Sequence, residues 1–256
     1  MSKGTFIIFT SGYYTYFNKF YNFEDKKWVD FPYNKSMIFK GFQNMIGFAL
    51  TDRIEVMIHI PIIFNYSQAA GIINSSSGIG DIFLKTRIGI LKWASNRHGL
   101  TLIGAVRFNT GDKTATPSLG DGSIDIALGS IFSSAWISKW QAHLKANYWL
   151  NGKSDKNIDI GDEFEFIAKL DRKFSNRIVG FFGYNHYSLF KNKNINGEAI
   201  DNTQKIRHYI VVGCTYSPGN GFNIRPKITI PINGKGGNLF PYKLCLDVWY
   251  TFKLFK

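Results

Sequence analysis

From Arg53 to Tyr66 every second position is apolar or aromatic, and the polar residues all fall on the positions between. Ile54, Val56, Ile58, Ile60, Ile62, Phe64 and Tyr66 share one parity, and Arg53, Glu55, His59 and Asn65 share the other. Side chains on a strand alternate between its two faces, so this stretch predicts a strand with one oily and one polar face. At about 3.3 Å per residue it reaches beyond about 40 Å, against about 5–6 residues for an ordinary soluble strand. That length with that alternation is what a strand tilted across a membrane requires.

The same two-residue period recurs along the chain. It predicts strands over 5–16, 36–50, 53–66, 78–93, 100–109, 123–135, 140–150, 163–173, 177–189, 205–216, 222–233 and 242–255. The connections alternate in length. Tight turns are expected at 51–52, 94–99, 137–139, 174–176 and 218–221, and long polar loops at 18–35, 67–77, 110–122 and 190–203. An even strand count with short turns at one end and long loops at the other is the pattern of outer-membrane barrels. The expected fold is therefore all-β: a transmembrane antiparallel up-and-down β-barrel of about 12 strands, forming a single domain over 1–256. Aromatics on both parities leave the facing of the first, second and ninth strands open.

Periodicity does not by itself say which face points inward, and a soluble lipid-binding barrel or sandwich would bury its Ile and Phe. Three features favour the inverse arrangement: strand length, alternating connections, and aromatics near strand ends at Trp93, Trp136, Trp140, Tyr148, Tyr216 and Tyr250, where membrane girdles sit. No run approaches the roughly 18 apolar residues of a membrane helix. On the barrel reading the pore-lining residues are Glu55, His59, Asp81, Lys85, Arg87, Arg107, Asp125, His143, Lys145, Glu165, Lys169, Arg207, Arg225 and Lys227. Charges of both signs in a low-dielectric interior must pair or stay hydrated. They describe either a salt-bridge network bracing a plugged barrel or a narrow aqueous path whose net basic wall disfavours cations.

Composition adds two points. The 31 Lys and Arg against 18 Asp and Glu give a net charge of +13, spread over many strands rather than gathered in a stripe. This points to phosphate-bearing lipid headgroups and not to nucleic acid. The expected partners are outer-membrane lipid and lipopolysaccharide, the barrel-assembly machinery during insertion, and a small-molecule solute. No cofactor motif or metal-ligand spacing occurs. Cys214 and Cys245 fall on opposite parities, so they face opposite sides of the wall and do not form a disulfide. Pro61, Pro226 and Pro231 lie inside strands, where the missing N–H implies a bulge or a gap in pairing. A kinked wall of that kind could also open sideways. The opening MSKGTFIIF is too short for a signal peptide, so the expectation is a mature chain whose export signal has been removed.

Four segments, GFALTDRIEVMIHIPIIF (47–64), GIGDIFLKTRIGIL (78–91), VRFNTGDK (106–113) and LGDGSIDIALGSIFS (119–133), carry a resemblance in their order and spacing. Together with the opening KGTFIIF they resemble the outer-membrane transporter-like β-barrel family of the meta-pathway of phenol degradation. One departure is Asn109 before Thr-Gly-Asp, where that family often has Pro. The resemblance implies an outer-membrane barrel passing small, hydrophobic or aromatic compounds, and it transfers no catalytic residue.

Two other classes compete. GYNHYS (183–188) resembles the Gly-x-x-His-x-Ser core of outer-membrane phospholipase A, with His186 and Ser188 on one strand face. That family continues with Asn-Gly, whereas Leu189 and Phe190 follow here, and its other motif is not evident. A structural or adhesive barrel working through its long loops is the third class. The sequence favours passive transport, with no catalytic residue.

Overall fold

The computed structural model describes residues 2–32, 35–93, 98–134, 137–154 and 157–253. The turn expected at 94–99 falls largely outside them, as do Trp136, the ring of Trp93 and the end of the last expected strand. The described chain is all β. Its strands are β1 (Thr5–Phe17), β2 (Lys19–Asn22), β3 (Lys27–Asp30), β4 (Ser36–Ala49), β5 (Ile54–Ala69), β6 (Ile72–Ile79), β7 (Phe83–Trp93), β8 (His98–Arg107) and β9 (Asp125–Ser133). They continue with β10 (Trp140–Leu150), β11 (Glu163–Lys173), β12 (Ile178–Leu189), β13 (Lys205–Gly219), β14 (Phe222–Lys235), β15 (Asn238–Leu239) and β16 (Lys243–Lys253).

Each long strand pairs antiparallel with its sequence neighbours, and β1 closes the ring by pairing with both β16 and β4. The main sheet has 13 strands, but β6 continues the line of β7 along β5, so 12 strands go round the barrel. A separate small sheet, β15-β2-β3, caps the long-loop end. Closure leaves no open edge around the twelve-strand ring, as the hydrocarbon core of a bilayer demands of backbone groups that have no water to bond.

The facing of the wall is the inverse of a soluble barrel. Ile58, Phe64, Leu84, Ile88, Leu102, Phe182 and Leu246 are exposed on the outer face, while Met57, Ala105, Asp125, Ala127, Asp171 and Asp247 are buried on the inner one. Trp140, Tyr148, Tyr216 and Tyr250 are exposed near the ends of their strands, as a girdle requires. The three strands of blurred parity resolve here. In β1 the odd residues turn inward, with Ser11 and Thr15 buried, and in β4 Gly41 and Gly47 do so. In β12 Phe181 is buried and Phe182 exposed, which sends His186 and Ser188 outward. Their parity is obscure because both faces of β1 carry aromatics and the outer face of β12 ends in Tyr184, His186 and Ser188.

Two expected loops contain strands. The Ser/Gly stretch 67–77 is the top of a hairpin: β5 runs to Ala69 and β6 returns from Ile72 through Ala70 and Gly71, at φ of 50° and 80°. Two left-handed residues make the turn that matches strand twist. The hairpin lacks apolar alternation because it stands above the membrane, with water on its outer face and the β8–β9 loop against part of its inner one. Likewise 18–35 folds into β2 and β3.

All three prolines sit where the ladder breaks. Pro61 lies where the neighbour of β5 changes from β7, last paired at His59↔Phe83, to β6, first paired at Ile62↔Ile79. Pro231 adjoins a register shift between His208 and Tyr209. Opposite Pro226, pairing skips from Gly213↔Lys227 to Tyr216↔Ile224. Cys214 is exposed on the outer face, Cys245 is half-buried on the inner side, and both are free.

At the short-turn end, Gly221 has a φ of 80°, and a Cβ there would stand 2.0 Å from the Thr251 carbonyl oxygen. Gly221→Ala is expected to cost at least about 1–2 kcal/mol, the penalty of a left-handed L-residue alone. A lowered midpoint in urea unfolding of the lipid-embedded barrel measures it.

Candidate functional site: the barrel lumen

The lumen is built from the inward parity of the strands, which brings charges far apart in sequence into register. Arg107 ends β8 and faces Asp125, the first residue of β9. Its Nε donates to the Asp125 carboxylate at 2.5 Å, and its other arm reaches Glu163 at 3.2 Å, Asn151 at 3.3 Å and Asp121 at 3.4 Å. The guanidinium lies 5.1 Å from the Trp149 ring. Asp125 is fully buried and also accepts from the Ser123 hydroxyl and the Gly152 amide.

A second group spans β10 and β11. His143 bridges Ser133 and Asp171, each at 3.0 Å, and Lys169 pairs with the same Asp171. Lys145 pairs with Glu165 at 2.7 Å, and the Asn147 amide also donates to that carboxylate. A third group closes the ring. Asp247, at 1% exposure, accepts from Ser11 at 2.6 Å and Lys227 at 2.7 Å, with Arg225 at 3.9 Å. Arg225 also packs over Trp249 and Phe181. Elsewhere Arg87 faces Glu55 at 3.7 Å. His59 stacks on Phe83, with centroids 4.2 Å apart.

Two residues of the expected lining do other work. Asp81 lies in the break between β6 and β7, where its carboxylate accepts the amides of Thr110, Gly111 and Asp121. It clips the β8–β9 loop in place. Arg207 donates to the carbonyls of Ile206, Lys235, Gly236 and Asn238 under the Trp28 ring, and so tethers the cap. The inner wall also holds Glu163, Asp171, Asp247, Lys205 and Lys243, which the expected lining omits. Asp247 was readable: it stands opposite the oily parity of the last strand.

Loops narrow the long-loop mouth from two sides. The β8–β9 loop leans on the inner face of β5 and β6, where Asn65 donates to the Ser118 carbonyl, Ser76 donates to that of Pro117, and Leu119 is buried. Opposite, Phe240 stacks on Tyr209 and meets Phe17 edge-on. Outside the membrane, the Thr114 hydroxyl and amide hold the Asp112 carboxyl below its usual range. At the short-turn end a cavity of about 610 Å³ opens within the barrel, lined by Glu55, Arg87, Thr101, Ile131 and Ser133 among others. On the outer wall an apolar groove of about 620 Å³ crosses β1, β16, β14 and β13, with Gly12, Tyr14, Pro226 and Leu246 in its lining.

His186 and Ser188 share the outer face, but among the described residues no bond joins them. The His186 ring faces His208 instead, Nδ1 to Nδ1 at 3.5 Å, and the Tyr184 hydroxyl reaches His208 at 2.6 Å. No group of three or more His, Cys, Asp or Glu side chains among the described residues is placed to hold a metal ion.

A family model described as "Putative MetA-pathway of phenol degradation" matches residues 37–242, which is 206 of the 256 residues. The chain belongs to this family. No curated protein sequence matches it. Among solved structures, the COG4313 outer membrane channel from Pseudomonas putida F1 superposes with a TM-score of 0.86 at 14% identity, over 98% of this chain and 97% of that one. The NanC porin gives 0.59 at 6% identity, over 95% and 98%. The β domain of the Bordetella autotransporter BrkA gives 0.58 at 10%, over 98% and 100%. At these identities the likeness is one of fold, and it is to membrane barrels in every case.

Proposed function

We propose that this family member is a passive channel of the bacterial outer membrane for small, hydrophobic or aromatic compounds. The observation that carries this reading is the inverted wall: apolar side chains face out, and charged groups of both signs face a lumen that widens into a cavity at the short-turn end. A stable barrel needs no such interior, because burying charge is costly unless it is paired or wet. The P. putida relative is an outer membrane channel, which supports the same reading. Inward Lys and Arg outnumber Asp and Glu, so the path favours anions over cations. The structural and adhesive class finds less support, because the β8–β9 loop is spent on narrowing the mouth. The lipase reading finds less still, because no base among the described residues is bonded to Ser188.

Single-channel recording in planar bilayers tests the proposal. Discrete openings with an anion-selective reversal potential are expected, and deletion of 112–119 enlarges the steps by removing Leu119 and its neighbours from the mouth. Silence from both proteins would assign the barrel to the plugged class. Ser188→Ala, on the lipid face, leaves the currents as they are.

A further inference from the structure

One corner of the lumen, formed by β5, β7 and β10, holds a lysine with no carboxylate of its own among the described residues. Lys85 faces inward between Met57 and Ala105 on the neighbouring strands. It makes no ion pair or hydrogen bond among the described residues, although the other cations around it are provided for. Arg87 has Glu55 at 3.7 Å, and Lys145 has Glu165 at 2.7 Å. Glu165 also acts on Lys85 through space, but it is already bonded to Lys145 and Asn147. Two further polar atoms at this corner are buried without a partner: Nε of Arg87 and Nε2 of His59. Three basic side chains, Lys85, Arg87 and Lys145, meet two carboxylates here, and two unfilled hydrogen-bonding positions lie beside the lysine. A buried cation and orphaned polar atoms together mark a place for a hydrogen-bonding anion.

The surroundings set the shape of that anion. On the side toward the long loops, Phe83 stacks on His59, and Trp149 meets Phe83 edge-on at 6.4 Å. Met57, fully buried, packs beside Lys85. On the other side Glu55 and Arg87 border the cavity of about 610 Å³. A ligand entering there reaches Arg87 first; Lys85 is the next inward residue along β7, and the Phe83 ring the one after it. Glu55 and Glu165 repel a second negative charge, which favours a monoanion.

We propose that this corner binds a small aromatic monocarboxylate, with its carboxylate between Lys85 and the Arg87 guanidinium and its ring against Phe83. The inference rests on the channel reading and narrows its solute to aromatic acids in their ionised form. A carboxylate answers the basic side chains, and the apolar ring replaces water on the aromatic shelf.

The test uses the folded barrel in detergent with benzoate, and benzamide as the uncharged isostere, by isothermal titration calorimetry. Planar-bilayer recording with the same two compounds runs beside it. Benzoate is expected to bind and to interrupt the current, and benzamide to do neither. Lys85→Met should weaken benzoate about tenfold or more, as loss of a charged hydrogen bond does, while Lys85→Arg retains most of the affinity. Heat-modifiable migration on gels checks that each variant is folded, and Cys214→Ser on the outer face serves as the unaffected control. Equal binding of benzamide, unchanged affinity in Lys85→Met, or no benzoate binding to a folded barrel each overturns the site. Currents without benzoate binding reject the site and keep the channel; benzoate binding without currents keeps the site and rejects the channel.

Discussion

Asp247→Ala is expected to destabilise the barrel by about 3–5 kcal/mol, the cost of stripping a buried charge network of its anion. Asp247 is the partner of both Lys227 and Arg225, and it also holds the Ser11 hydroxyl across the β16–β1 seam. Removing it leaves two inward cations facing each other on neighbouring positions of β14. Asp125→Ala should cost less, although Asp125 is equally buried, because Arg107 keeps Glu163 and Asp121. Urea unfolding in lipid vesicles, followed by tryptophan fluorescence, orders the two variants. A loss under about 1 kcal/mol for Asp247→Ala would mean the pair behaves as an exposed one, with the lumen fully wet at that level.

Phe182→Arg should cost about 2–4 kcal/mol, the penalty for arginine on the lipid face near the bilayer midplane. Phe182 lies mid-strand on the outer face, between Leu170 and Val212. Asn185→Arg, three residues on but turned inward, is expected to leave folding efficiency close to the parent. The two variants carry the same new charge on one strand, so their difference reads the facing of the wall directly. Equal stability of the two would contradict the outward assignment of Phe182.

The barrel was legible because its determinant is local. The parity of Ile58 against His59, or Leu84 against Lys85, is written into consecutive residues, and each such pair lies on the expected faces. What the alternation could not carry is pairing across the lumen. That Arg107 holds Glu163, and that His143 and Lys169 share Asp171, depends on the strand stagger of a closed ring. Asp81 shows the limit most plainly. Its parity matches Lys85 and Arg87, yet it lies past the end of β7, where the backbone leaves the sheet and its carboxylate caps a loop. The hairpin hidden in 67–77 escaped for a related reason: the two-residue signal comes from a boundary between oil and water, and a strand with no lipid on its outer face has none. The inward fold of Phe240 and Trp28 is tertiary throughout. No spacing in the sequence predicts that two loop aromatics will turn back over Tyr209 and Arg207.

The β5–β6 hairpin has a bearing on experiment as well as on form. Its tip, Ala70 and Gly71, stands at the end opposite Thr5 and Lys253, and a Cβ at Gly71 would meet nothing within 4 Å. An epitope inserted there disturbs no packed neighbour. In living cells, antibody access to such a tag would report which end of the molecule the outside world sees, without any need to purify it.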